Sequence, residues 1–134
     1  MTSQSLERKV PSASSACFLP GKDIPAERVG EGVLRQVMGY DPSILLARVL
    51  FEAGGVGEIH DHPHSQVTYV ESGEFEVYIG GETRLLSAGD GFYIPPNTSH
   101  GAVCKKAGAL IDVFSPVRED FLDKGVEASP AGRE

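Results

Sequence analysis

Gly57 to Gln66 reads GEIHDHPHSQ and holds three of the chain's four histidines, His60, His62 and His64; the fourth, His100, stands far downstream in IPPNTSH. Side chains on a strand alternate faces with period two. His60, His62 and Gln66 share parity, so an extended segment projects them from one side. His100 must then arrive from another strand. Imidazoles converging in this way suit a divalent transition metal, and the amide oxygen of Gln66 offers a fourth ligand. A histidine pair in a loop is also compatible with plain solvated surface. His64 follows Pro63, whose fixed φ and missing N–H disturb a ladder. It is expected at the rim, facing a substrate and not a metal.

Outward from this stretch, short apolar runs are punctuated by Gly and Pro, the pattern of an all-β sandwich or barrel. ILLARVLFEA and QVTYVES read as strands, and EFEVYIG alternates with Phe75, Val77 and Ile79 on one face. Gly80-Gly81 is a hairpin signal, because two-residue turns need the positive φ that glycine adopts freely. ETRLLSAGD, GFYIP, HGAVCK and ALIDVFSP follow, and only VREDFLDKG has helical character. Nothing repeats, and 134 residues make a single domain. Residues 1–16 are Ser-rich with little apolar content, and read as an arm that is flexible or packed on a partner. Residues 17–122 form the β-domain, and 123–134 a polar tail.

The formal net charge is −7 with no basic run, which argues against a nucleic-acid partner. Attraction for an anionic substrate has to be local to a site. Cys17 and Cys104 are far apart and outside any CxxC arrangement, so they make neither a disulfide framework nor a zinc knuckle. A reducing interior fits them better than a secreted life. No apolar run approaches the ~20 residues of a membrane span, and the start lacks the basic-then-apolar order of a secretory signal. The expectation is a cytoplasmic protein that does not meet the membrane.

Two spaced motifs sharpen the reading. From Gly54 the chain runs Gly, five residues, His60, one residue, His62, three residues, Gln66, six residues, Gly73. From Gly89 it runs Gly, five residues, Pro95, one residue, Asn97, two residues, His100. Together these resemble the paired motifs of the cupin superfamily. The resemblance implies a small antiparallel β-barrel of jelly-roll type, usually dimeric. It also implies one divalent transition metal (Ni, Zn, Fe or Mn) held at His60, His62, Gln66 and His100. Because the edge strands of an open barrel are normally covered, a homodimer is expected.

The chain departs from the family pattern at three positions. Asn97 replaces Gly, a mild change because Asn tolerates the left-handed conformation. Cys104 replaces Asn and reads as a small apolar packing residue. Gln66 replaces Glu. An amide cancels none of the metal's charge, which makes a stronger Lewis acid and anion trap, less suited to high-valent iron.

In LIDVFSPVRED, Asp112 and Phe114 share parity and Arg118 follows just past Pro116. A carboxyl pointing into an apolar barrel has its proton affinity raised, as a general acid or base requires. Arg118 offers a fork for a carboxylate, and Phe114 a wall against a sugar ring. Each has a plainer alternative. Asp112 can steady the metal shell, Phe114 can be core, and Arg118 can pair with Glu119 or Asp120.

The Asp-X-Phe-X3-Arg run beside His, His, Gln and His resembles, more narrowly, the ketonising cupins of pectin degradation. That resemblance implies an isomerase-type enzyme of carbohydrate metabolism that linearises 4,5-unsaturated uronates to 5-keto-4-deoxyuronate without redox change. Asp112 and Arg118 would be its catalytic pair, with Phe114, His64 and Tyr78 lining a small sugar-acid pocket. The alternatives are a cupin dioxygenase or lyase on another small organic acid, and a small-molecule-binding cupin with no chemistry.

Overall fold

A computed structural model describes residues 14–122. The elements are a 3₁₀ turn (Gly21–Asp23), then β1 (Glu27–Gly30), β2 (Val33–Asp41), β3 (Ile44–Phe51), β4 (Val56–His60) and β5 (Ser65–Ile79). They continue with β6 (Glu82–Ser87), β7 (Gly91–Ile94), β8 (His100–Ser115) and α1 (Glu119–Leu122). All pairings are antiparallel. The order is β1-β2-β3-β8-β5-β6, with β4 also on β8 and β7 also on β5.

The long strands β5 and β8 organise everything else. The first part of β5 pairs with β7 and its later part with β6, while β8 offers its first part to β4 and its later part to β3. Two half-sheets therefore face each other, joined by strands that run through both. The bend needs glycine. At Gly73 φ is +86°, and a Cβ would lie 2.5 Å from the Lys106 carbonyl oxygen; a Cβ on Gly108 would collide with the Ser72 carbonyl. The apparent breaks between QVTYVES and EFEVYIG, and between HGAVCK and ALIDVFSP, are thus crossing points inside continuous strands.

This is the expected all-β jelly roll, with one correction: the sheet does not close, and β1 and β6 are its ends. β1 and β2 precede the first of the apolar runs that mark strands in the sequence. The turn chemistry is as read, with positive φ at Gly80 and Gly81 between β5 and β6. The arm's residues 1–13 and the tail lie outside the described residues. Ser15 is tied to the domain, its N–H donating to the Tyr40 carbonyl and its hydroxyl accepting from the Tyr40 N–H.

Alternation on β3 buries Leu45, Ala47, Val49 and Phe51. The interior splits into two apolar clusters. One holds Val33, Val49, Phe51, Val70, Phe75, Val77, Cys104 and Leu110; the other holds Leu45, Ala47, Phe114, Val117 and Phe121. The inward-facing polar residues of β2, β5 and β8 occur beside these clusters, and the histidines join them. No helix among the described residues is long and apolar enough to cross a membrane.

Candidate metal centre

His60 ends β4 and His100 begins β8, and the two are register partners across that pair. Their ring centroids are 4.4 Å apart. His62 joins from the loop after β4, at 4.7 Å from His100 and 5.5 Å from His60. The ligand atoms of the three rings all lie within 4.8 Å of one another, a group that could hold a metal ion. Residues 61–64 are not strand, so the convergence does not rest on the extended parity expected of this stretch. The loop is held by Asn97, whose N–H donates to the His62 carbonyl at 2.7 Å from a left-handed φ of 62°. Asn in place of Gly is accommodated as expected.

Hydrogen bonds set the tautomers. Nδ1 of His60 faces the Glu58 carbonyl and Nδ1 of His100 the Thr98 carbonyl, both at 2.8 Å. A carbonyl only accepts, so each Nδ1 carries the proton and each Nε2 presents a lone pair. Nδ1 of His62 faces the His64 carbonyl at 3.2 Å, and its Nε2 lies 3.0 Å from Gln66 Oε1. The Gln66 amide is oriented from behind, because its Nε2 donates to Thr68 Oγ1 at 2.9 Å. In a neutral His62 ring, two acceptors therefore confront each other. A doubly protonated ring would satisfy both, but burial, and then the Arg118 charge, push the His62 pKa down to about 4. A cation held by His62 and Gln66 would give both atoms a partner, so this donor set fits a metal.

The polar run continues into β8. Thr68 and Asp112 are register partners, as are Gln66 and Phe114. Thr68 donates to Asp112 Oδ1 at 2.7 Å, and Gln66 Nε2 lies 3.5 Å from the same oxygen. Burial drives the Asp112 pKa up to about 6 against the pull of Thr68 and of two guanidiniums, Arg118 and Arg35. The raised proton affinity expected of an inward carboxyl is present. Phe114 is buried, edge-on to His62 at 5.7 Å and to Phe121 at 5.4 Å.

His64 stays out of the three-histidine group. Its Nε2 donates to the Val117 carbonyl at 3.2 Å and its ring stands 6.5 Å from Phe114. Arg118 lies 4.9 Å from the Phe114 ring centre, but its fork is committed to Asp120 by bonds of 3.0 and 2.8 Å. Tyr78 requires a correction. Ile79 is the register partner of His100, so Tyr78, one residue earlier, points to the opposite face of the sheet and does not line the site. Cys104 is buried in the first cluster as an apolar packing residue. Arg35, inward on β2, escaped the sequence reading altogether.

This fold, with a histidine triad that could hold a metal ion, is that of a cupin, and the chain belongs to the cupin family: the cupin domain model matches residues 47–114. Within the family it is similar to the pectin degradation protein KdgF of Dickeya dadantii, at 40% identity over 102 residues, covering 75% of this chain and 93% of that protein. Solved relatives agree. The structure of KdgF from Halomonas sp. superposes with a TM-score of 0.75 at 39% identity, covering 78% of this chain and 98% of that one. An RmlC-like cupin from Shewanella frigidimarina superposes with a TM-score of 0.79 at 44% identity, covering 81% and 97%.

Proposed function

We propose that this cupin holds one divalent transition metal on His60, His62, Gln66 and His100, and linearises 4,5-unsaturated uronates to 5-keto-4-deoxyuronate. The observation that carries the reading is the hydrogen-bonded run from Gln66 through Thr68 to Asp112, which sets a carboxyl of raised pKa beside the histidine triad. Likeness to two KdgF proteins supports the substrate class.

The reaction is an isomerisation. The hemiacetal C1–O5 bond breaks as the C1 hydroxyl loses its proton, and C4 gains a proton as the C5 enol becomes a ketone. No electrons enter or leave. When bound, the cation supplies Lewis acidity toward substrate oxygens, undiminished by the neutral Gln66. Asp112 moves the proton, since a carboxyl near 6 exists in both forms close to neutral pH and can accept and return it. Thr68 fixes which Asp112 oxygen is occupied. Phe114 and His64 shape the wall, and the Arg118 charge over Phe114 favours a carboxylate nearby. A site opening to a small sugar acid accounts for the exposure of His60 beside the buried His62 and His100.

Two further expectations belong to this reading. A homodimer is supported by the outer face of the sheet, where Val67, Tyr69 and Tyr93 are each more than half exposed and Val67 pairs with Tyr93. A cytoplasmic location is supported by two free thiols, Cys17 and Cys104. The deciding experiment follows loss of the unsaturated-uronate absorbance with metal-loaded protein. Wild type accelerates the loss, and Asp112→Ala retains the metal but not the acceleration. Equal rates in the two proteins would overturn the role given to Asp112.

A further inference from the structure

The sugar-acid reading requires a seat for the substrate's carboxylate, and the structure offers two guanidiniums for it. Arg118 has both its Nε and one Nη on the Asp120 carboxylate, at 3.0 and 2.8 Å. The edge of that fork, the part which matches a carboxylate, already has its acceptor. Arg35 is different. It is the register partner of Val49, which pairs in turn with Leu110, so its side chain rises from the inward face. Only 19% of that side chain is exposed. Its guanidinium stacks on Phe121, 3.7 Å from the ring centre, and Arg118 lies 4.2 Å from the same ring. The carboxylate paired with it, on Glu27, reaches an Nη at 3.9 Å, beyond hydrogen-bond range. Arg35 Nε is buried with no acceptor.

A buried donor without a partner is costly, and an N–H of a cation more so. Burial acts against the Arg35 charge, while Glu27, Asp120 and Asp112 favour it and Arg118 opposes it. The interaction with Asp112 ties Arg35 to the proton-moving group. A carboxylate approaching the Nε–Nη edge would satisfy the orphaned donor and match the planar fork. The Nε is shielded from solvent and the guanidinium is stacked on the Phe121 ring, so a carboxylate seated there would require that ring to give way.

We propose that Arg35, and not the Asp120-bound Arg118, receives the carboxylate of the substrate, and so determines specificity for sugar acids over neutral sugars. The assignment rests on the sugar-acid reading of the site but not on the ketonisation step. Its test is binding of two non-reacting probes, galacturonate and galactose, to the full-length metal-loaded protein by calorimetry. Wild type binds galacturonate tighter by about tenfold or more, the scale of a charged hydrogen bond. Arg35→Gln and Arg35→Lys lose that preference while galactose affinity is kept; if the Gln variant fails to fold, Lys, which keeps the charge and loses the fork, carries the test.

Three results overturn the assignment. They are no preference in wild type, an intact preference in the Arg35 variants, and an equal weakening of both sugars, which marks a merely structural role for Arg35 under Phe121. Loss of preference in Arg118→Gln with retention in the Arg35 variants would likewise move the seat to Arg118. If the preference depends on Arg35 but wild type converts no unsaturated uronate, the reaction falls and the carboxylate seat stands.

Discussion

The Thr68 hydroxyl donates to Asp112 at 2.7 Å while accepting the Gln66 amide at 2.9 Å, so one side chain orients both the Gln66 amide and the Asp112 carboxyl. Val has the shape of Thr without the hydroxyl. Thr68→Val leaves the Gln66 amide free to turn and removes a donor from the Asp112 carboxylate. Losses from such outer-shell changes are typically 10–100-fold in metal affinity or activity, and a loss of about that size is expected in both. Thr68→Ser restores them. Metal titration and uronate turnover measured side by side check this, and a Val variant equal to wild type in both would dissolve the link.

Metal binding is separable from folding by thermal denaturation. A ligand at 100 times its Kd stabilises by about 2.7 kcal/mol, or roughly 10 °C in Tm for a domain of this size. Chelated protein is expected to gain on that order from one divalent transition metal. His100→Ala removes a buried Nε2 lone pair from the triad and abolishes the gain. A variant that still gains as much would place the ion elsewhere.

The metal-free protein carries a pH signature from Asp112. Its folded pKa of about 6 lies above the ordinary carboxylate value, because burial disfavours the charge. The folded state therefore binds the proton more tightly than the unfolded chain. The resulting stability is complete below the unfolded pKa of about 3.9 and lost as pH rises through about 6. Chelated wild type is expected to lose stability relative to Asp112→Asn, whose group does not titrate, between about pH 4 and about pH 6, and to change no further above that. Denaturant midpoints for the two proteins across that pH range measure the difference, and parallel curves would show that the carboxyl is not held in this environment.

How much of this was open to a reader of the sequence depends on what each residue's neighbours reveal. His60 and His62 are legible because one residue separates them and His100 follows at a fixed offset from Gly89. The parity used to unite them fails, since a loop carries His62 to the site. Parity does hold where strands are regular. Phe75 and Val77 are buried and Tyr78 faces away, so the alternation already contradicts a pocket role for Tyr78. Gly73 and Gly108 look like strand ends because glycine usually weakens strands; only the crossing of two backbones explains them. Arg35 stayed hidden because VLRQVMGYD mixes charged, amide and glycine residues, which masks its period. Its inward direction emerges from the pairing with Val49.

The two thiols are expected to report the packing directly. Cys17 is exposed, whereas Cys104 is buried in the first cluster with its Sγ donating to the Lys106 carbonyl at 3.1 Å. Burial raises the Cys104 pKa, which keeps the thiol in its unreactive neutral form. Native protein treated with a thiol-specific reagent at pH 8 labels Cys17 alone, and Cys104 follows only in denaturant. Rapid labelling of both in the folded protein would mean that this core opens.

Gly108 offers the sharpest test of the crossing that shapes the site. A Cβ there would run into the Ser72 carbonyl and approach Gly73 Cα at 2.6 Å, contacts that no side-chain rotation relieves because the obstacles are backbone. Gly108→Ala must push β5 and β8 apart. Those strands carry Gln66, Thr68 and His100, and Asp112 and Phe114 lie on β8 only a few residues on. Overpacking of this kind costs about 1–3 kcal/mol, and rigid obstacles place this one at the upper end. The variant is expected to lose about 3 kcal/mol in urea denaturation and to bind metal more weakly, because the register that faces Gln66 and Thr68 with Phe114 and Asp112 is disturbed. Gly57→Ala makes the comparison: its Cβ would meet only ordinary contacts at 3.8 and 3.9 Å, and its stability should stay close to wild type. Equal stability of Gly108→Ala and Gly57→Ala would mean that the strands do not cross as closely as the structure has them, and the histidine site would lose its geometric support.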